Sequence, residues 1–317
     1  MRFSFHLGFG TAAAGMFAGL LVFLLTKKKN LGLAGTFVAN PLSSAGNTKQ
    51  LPLIGLGVVV VAAVIAVAIA TGILTFKTFI ALVGILGIVI PIIYFVVMYR
   101  SPKTTVTERS RIVAYIPLFI ASVMFWAIEE QGSTILANYA DKRTQLDFAG
   151  MHISPAWFQS LNPLFIIVLA PIFAWLWVKL GDRQPTVPVK FSLGLLLAGL
   201  SFLVILLPAY LGGSKSLVNP LWLVLSYLLV VLGELCLSPV GLSATTKLAP
   251  AAFSAQTMSL WFLSNAAAQA INAQIVAFYT PDTEMSYFGA IGAAALLLGA
   301  ILLLLAPKIQ CYMKGVQ

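Results

Sequence analysis

Three carboxylates carry the chemistry that this sequence offers. Glu129 and Glu130 stand side by side in the run Phe125–Gln145 (FWAIEEQGSTILANYADKRTQ), and Glu234 stands among leucines in GELCL. All three fall in stretches apolar enough to lie in a bilayer, where an ionisable group is rare, costly and functional by default. The apolar parts of the same stretches hold no Lys or Arg. A carboxylate in oil without a cation is expensive unless it takes up a proton. Either these acids hold protons part of the time, or their cations belong to another polypeptide. Both answers lead to an exchange of a proton for a cationic partner, the working step of a proton-coupled carrier.

Helical spacing orders the candidates. At 3.6 residues per turn, Ser122, Trp126, Glu130 and Ser133 share one face, and Glu129 is rotated about 100° from it. Glu130 is therefore expected in a polar cavity, and Glu129 against a neighbouring helix or at the headgroups. A solvated helix end is opposed by the apolar residues that follow, Ile135, Leu136 and Ala137. Glu234 comes well inside its stretch, roughly 20 Å deep by helix rise. A polar and small stripe recurs at Thr257, Trp261, Ser264, Asn265, Ala268 and Asn272. Two readings fit that stripe: a lined pathway, or hydrogen bonding between helices with no substrate. Asn162, before Pro163, fits a binding group and a local turn equally well.

These residues need a membrane scaffold. Of 317 residues 60% are apolar and 9% charged, against roughly 25% charged in soluble domains. The net charge of +10 does not mean nucleic acid, because the basic residues are scattered over short loops. Nine apolar runs near the 20 residues a span needs are Phe5–Thr26, Leu51–Leu74, Phe76–Tyr99, Ile112–Tyr139, Trp157–Val178, Phe191–Leu211, Leu221–Val240, Met258–Tyr279 and Tyr287–Ala306. Lys27, Lys28 and Lys29 follow the first run, the wrong order for a cleaved signal peptide. With the N-terminus outside and the C-terminus cytoplasmic, most of the 19 Lys and Arg fall inside the cell, as the positive-inside rule requires.

The organisation read from this is a first helix (1–26), a cytoplasmic linker (27–50), a lipid-facing two-helix hairpin (51–99), a cytoplasmic loop (100–111), a six-helix bundle (112–306) and a tail (307–317). Cys236 and Cys311 have no evident partner, and the sequence offers no metal-ligand spacing. No nucleophile–base constellation is present either, so no enzyme is expected.

The segments FWAIEEQGS, SLNPLFI, GELCLSPVGLS and MSLWFLSNAAAQAINAQ, in that order, resemble the proton-coupled oligopeptide transporter family, in particular bacterial di-/tripeptide carriers. The resemblance covers essentially the whole chain. It implies an all-α membrane protein of the major facilitator fold: the C-terminal six-helix bundle, one preceding helix and an inserted two-helix hairpin. It also implies proton-driven import of di- and tripeptides in the bacterial inner membrane, with the proton gradient in place of any cofactor.

By the resemblance, Glu130, with Glu129 beside it and Gln131 after it, takes part in proton coupling and pairs with an arginine of the N-terminal half. Asn162 contacts the peptide, Glu234 binds its amino terminus, and Trp261 and Trp126 line its pocket, with Gln131, Ser264 and Asn265 nearby. The family's first five helices, with an E-x-x-E-R motif and a fourth-helix lysine, have no counterpart here. The expectation is a chain that lacks an N-terminal half bearing the missing cations. A facilitator-fold carrier of another solute and an inactive or non-transporting fragment of a truncated gene remain the alternatives.

Overall fold

A computed structural model of the chain describes residues 5–32, 44–148, 150–212 and 217–316. The chain divides into two units, Met1–Leu74 and Thr75–Gln317. The first consists of α1 (Phe5–Leu31) and α2 (Ser44–Ala70). Helix α1 carries Lys28 and Lys29 in its last turn, where cations complement the helix dipole. It therefore runs on into the stretch expected as linker, and α2 begins before the end of that stretch. The middle of the expected linker lies outside the described residues.

The second unit holds the candidate site. Its helices are α3 (Phe76–Arg100), α4 (Val106–Glu129), α5 (Ile135–Arg143), α6 (Leu161–Leu180), α7 (Val187–Gly212), α8 (Pro220–Leu248), α9 (Ser254–Ile275) and α10 (Glu284–Tyr312). A two-residue ribbon, β1 (Asp147–Phe148) paired antiparallel with β2 (Met151–His152), lies between α5 and α6. Eight helical stretches among the described residues are long and apolar enough to cross a membrane, where the apolar runs predict nine. The difference is α9, whose stripe of amides and hydroxyls lowers its hydropathy. That helix is held by neighbours, not by lipid alone: it packs on α3, α4 and α8.

Local chemistry sets the helix ends. Thr75 and Thr78 form a capping box at the start of α3, and Thr105 with Glu108 does the same for α4, satisfying N–H groups that have no partner within the helix. Helix α6 ends at Gly181, whose φ of +48° is a backbone state that suits glycine. Helix α7 packs most extensively on α10 and α8. A Cβ on Gly194 would stand 2.9 Å from the Gly233 carbonyl oxygen, and one on Gly233 would stand 2.7 Å from the Gly194 oxygen. Only two glycines let α7 and α8 touch there, as small residues do in membrane bundles. The contact fixes the turn of α8 that bears Glu234.

The expected lipid-facing hairpin needs correcting in its second helix. Helix α3 buries Gly84, Gly87, Pro91, Phe95 and Met98. A Cβ on Gly87 would stand 3.1 Å from that of Ala270 in α9, and Phe95 packs tilted on Tyr115 and edge-on against Phe119 of α4. One stripe of α3 is thus part of the bundle. Alternation of small and large apolar residues hid that stripe, because hydropathy does not separate a lipid-facing side from a packed one.

Candidate functional site

The site is built where α4 stops being an α-helix. After Glu129 the chain tightens into a 3-10 turn, Glu130–Ser133, and resumes at Ile135 as α5. The carbonyl of Gly132, released from the helix ladder, accepts hydrogen bonds from Gln159 Nε2 (2.7 Å) and Tyr227 Oη (2.9 Å). Such a break at membrane depth is tolerated only where protein or water satisfies the freed backbone groups. Tyr227, from α8, and Gln159, from the 3-10 turn Pro155–Ser160 that leads into α6, supply that satisfaction.

The break brings both glutamates to one place. Glu129 and Glu130 line the same cavity of about 200 Å³, together with Gly132, Gln159, Asn162 and Tyr227. Ideal helix arithmetic separates the two acids, and the 3-10 turn overrides it. Glu129 Oε1 accepts from Asn162 Nδ2 at 2.9 Å. Glu130 Oε1 accepts from Asn265 Nδ2 at 2.6 Å, and its Oε2 from Gln269 Nε2. Glu234, across on α8, interacts with Asn162 and Glu130, and its Oε2 is buried with no hydrogen-bond partner. The charges acting on Glu129 are those of Glu234 and Glu130.

The three acids therefore form one cluster whose bonded partners are neutral amides. The ion pairs seen among the described residues, Arg143–Glu284 and His152–Asp147, lie elsewhere. A set of carboxylates held in shape by amides is suited to receive a proton, an ammonium or a guanidinium group.

The remaining residues singled out from sequence separate into two kinds. Trp261 is buried and stands edge-on to Trp126 at 6.5 Å between ring centres, with Phe191 on its other side. Its ring fills a socket at Gly241, where a Cβ would come within 2.1 Å of it. Trp126 is half-buried, and its buried Nε1 has no hydrogen-bond partner. Asn265 is half-buried beside Glu130. Gln131 and Ser264 face inward instead. Gln131 is 1% exposed; it donates to Ala127 O and Asn272 Oδ1 and accepts from Tyr287 Oη. Ser264 donates to Trp261 O within its own helix. Ser122, expected on the face of Glu130, is likewise buried and bonded back to Leu118 O.

The sequence profile of the POT family (PTR2) matches residues 1–293. The chain belongs to the POT family. Among POT relatives, the "Uncharacterized transporter YclF" of Bacillus subtilis is 62% identical over 99% of this chain and 63% of its own length. The "Di-/tripeptide transporter" of Lactococcus lactis subsp. cremoris is 43% identical over 99% of this chain and 64% of its own. A crystal structure of a peptide transporter POT in complex with sulfate is 73% identical, with a TM-score of 0.87, over 99% of this chain and 64% of that one. This chain thus spans slightly less than two thirds of the POT proteins it matches. The fold is that of the POT transporters, a helical multi-span membrane protein.

Several site residues of this POT chain escape a reading of its sequence. Gln269 lies one turn beyond Asn265 and completes the partners of Glu130, but a lone Gln among alanines carries no signal without Glu130 opposite it. Gln159 and Tyr227 matter because of the helix break, which no residue type announces. Glu284, at the first turn of α10, is 6% exposed and bonded to Arg143 Nε at 3.1 Å and Tyr279 Oη at 3.2 Å. It is a buried acid beyond the three anticipated, which are half-buried, and its partner is 141 residues away.

Proposed function

We propose that this chain is the C-terminal portion of a proton-driven di-/tripeptide importer. Membership of the POT family supports the class of carrier. The single observation that carries the mechanism is the cluster of Glu129, Glu130 and Glu234 bonded to amides alone. Such a cluster calls for cations from outside the bundle: the ammonium of a peptide and basic side chains of an N-terminal half. In this reading Glu130, with Glu129 beside it, exchanges a proton for such a basic side chain. Glu234 receives the peptide ammonium through its unpartnered oxygen, and Asn162 contacts the peptide backbone. Trp126 and Trp261 shape the wall against its side chains, and Asn265 sets Glu130. Gln131 and Ser264 act from within the packing, fixing the backbone on which these groups stand. The substrate lies between two six-helix bundles that rock to expose it alternately. The N-terminus lies outside the inner membrane and the tail inside the cell.

The test is uptake of labelled dialanine by cells that lack their own peptide carriers. The expected result is accumulation, abolished by a protonophore, when this chain is joined to five preceding helices bearing the E-x-x-E-R motif. Failure of that joined protein to take up dialanine, with uptake of nitrate or a drug in its place, would transfer the reading to another solute.

A further inference from the structure

Hydrogen-bond accounting at Glu130 goes beyond its pairing with a cation. Each of its carboxylate oxygens accepts an amide N–H, from Asn265 on Oε1 and from Gln269 on Oε2. These two amides are one turn apart on α9. One turn further on, Asn272 holds Gln131, which also accepts from Tyr287 of α10. A carboxylate satisfies two such donors, because it only accepts. A carboxylic acid does so less well: one of its oxygens bears O–H, which accepts an N–H only weakly and needs an acceptor of its own. When a proton from solvent binds one oxygen of Glu130, the contact is best satisfied if the amide on that oxygen turns and offers its carbonyl oxygen to the new O–H.

The two amides differ in freedom. Asn265 is half-buried on a short side chain, whereas Gln269 is exposed and longer by one methylene. Gln269 is the one that can turn by half a revolution and accept from the new O–H. An amide is suited to this, since it carries both a donor and an acceptor end. The charged groups facing Glu130 are Glu129, the last residue of α4, and Glu234 from α8. Helices α9 and α10 bring uncharged partners, Asn265, Gln269, Asn272 and Tyr287.

We infer that Gln269 is a positioning residue that reads the protonation state of Glu130 and passes it to α9, by donating to the carboxylate and accepting from the acid. The inference rests on the carrier reading for its use in transport, but not for its chemistry. The Gln131–Asn272–Tyr287 contacts stay as they are in both states, so the change is confined to the one rung between the helix break and α9.

Two measurements test it. The first is a pH-difference infrared spectrum of this chain in lipid vesicles, read at the carbonyl stretch of the protonated acid. A band absent in Glu130→Gln is expected, and in Gln269→Met it moves to higher frequency because the O–H has lost its acceptor. Gln269 is exposed, so the Met variant keeps the fold. The second uses the joined carrier: Gln269→Met loses proton-driven accumulation about ten-fold, as for a lost bond to a charged group, while counterflow exchange is kept. Gln269→His, which also both donates and accepts, restores part of the loss. A band that persists in Glu130→Gln, or stands still in Gln269→Met, overturns the inference. A joined carrier that moves no peptide at all removes the transport reading instead, and the infrared result still decides the contact.

Discussion

At the residue scale the protein is a set of carboxylates whose protein partners cannot neutralise them. Amides orient Glu129 and Glu130 and leave their charge in place. Replacing Glu130 by Gln in the joined carrier should therefore abolish proton-driven accumulation and spare counterflow, since exchange needs no net proton movement. Equal loss of both, in a transport assay with preloaded vesicles, counts against the role. Glu234→Ala should weaken dipeptides with a free amino terminus at least about ten-fold, as expected for a lost charge-assisted hydrogen bond. N-acylated dipeptides, which have no ammonium to offer, should lose little in the same competition assay. Glu130 and Glu234 were visible in sequence because a carboxylate among leucines is improbable unless it is used. Gln269 was not, because a glutamine becomes informative only when its partner is known.

At the scale of the element, the decisive event is the interruption of α4 at Glu130, caught by Tyr227 and Gln159. Past it, α5 is anchored by Arg143 to Glu284 of α10, and by Val218, whose N–H donates to Arg143 O at 2.7 Å. Removing one partner of a buried ion pair leaves the other charge stranded. Arg143→Met should thus cost about 3 kcal/mol of stability, measured as a fall in the unfolding midpoint in detergent. The double variant Arg143→Met with Glu284→Gln should recover much of that loss. The socket at Gly241 makes a second prediction. Gly241→Ala puts a methyl into the Trp261 ring, forcing a shift worth about 1–3 kcal/mol. Tryptophan fluorescence should report the displaced ring. The capping boxes at Thr75 and Thr105 are local devices, since both residues of each box lie within one turn. The 3-10 turn is not, because tertiary partners stabilise it and nothing in EEQGS forces it.

At the scale of the whole molecule, a bundle with an inward polar cluster needs something polar against it in the membrane. The prediction is that the joined carrier unfolds at a higher temperature in detergent than this chain by itself, and that adding dialanine raises only the former. Identical midpoints would show that the bundle is self-sufficient. Composition and the length of the apolar runs determined that this is a helical membrane protein, because hydrophobic length against bilayer thickness is a property of the chain alone. They also marked its acids as candidates for function, because the cost of charge in oil does not depend on fold. Which acids share a cavity, which amides hold them, and which side of α3 is packed were decided only by tertiary structure. Those are matters of contact between segments separated in the chain, by 33 residues for Asn162 and Glu129 and by 139 for Gln269 and Glu130, and a helix ladder broken by a distant tyrosine leaves no periodicity in its own sequence.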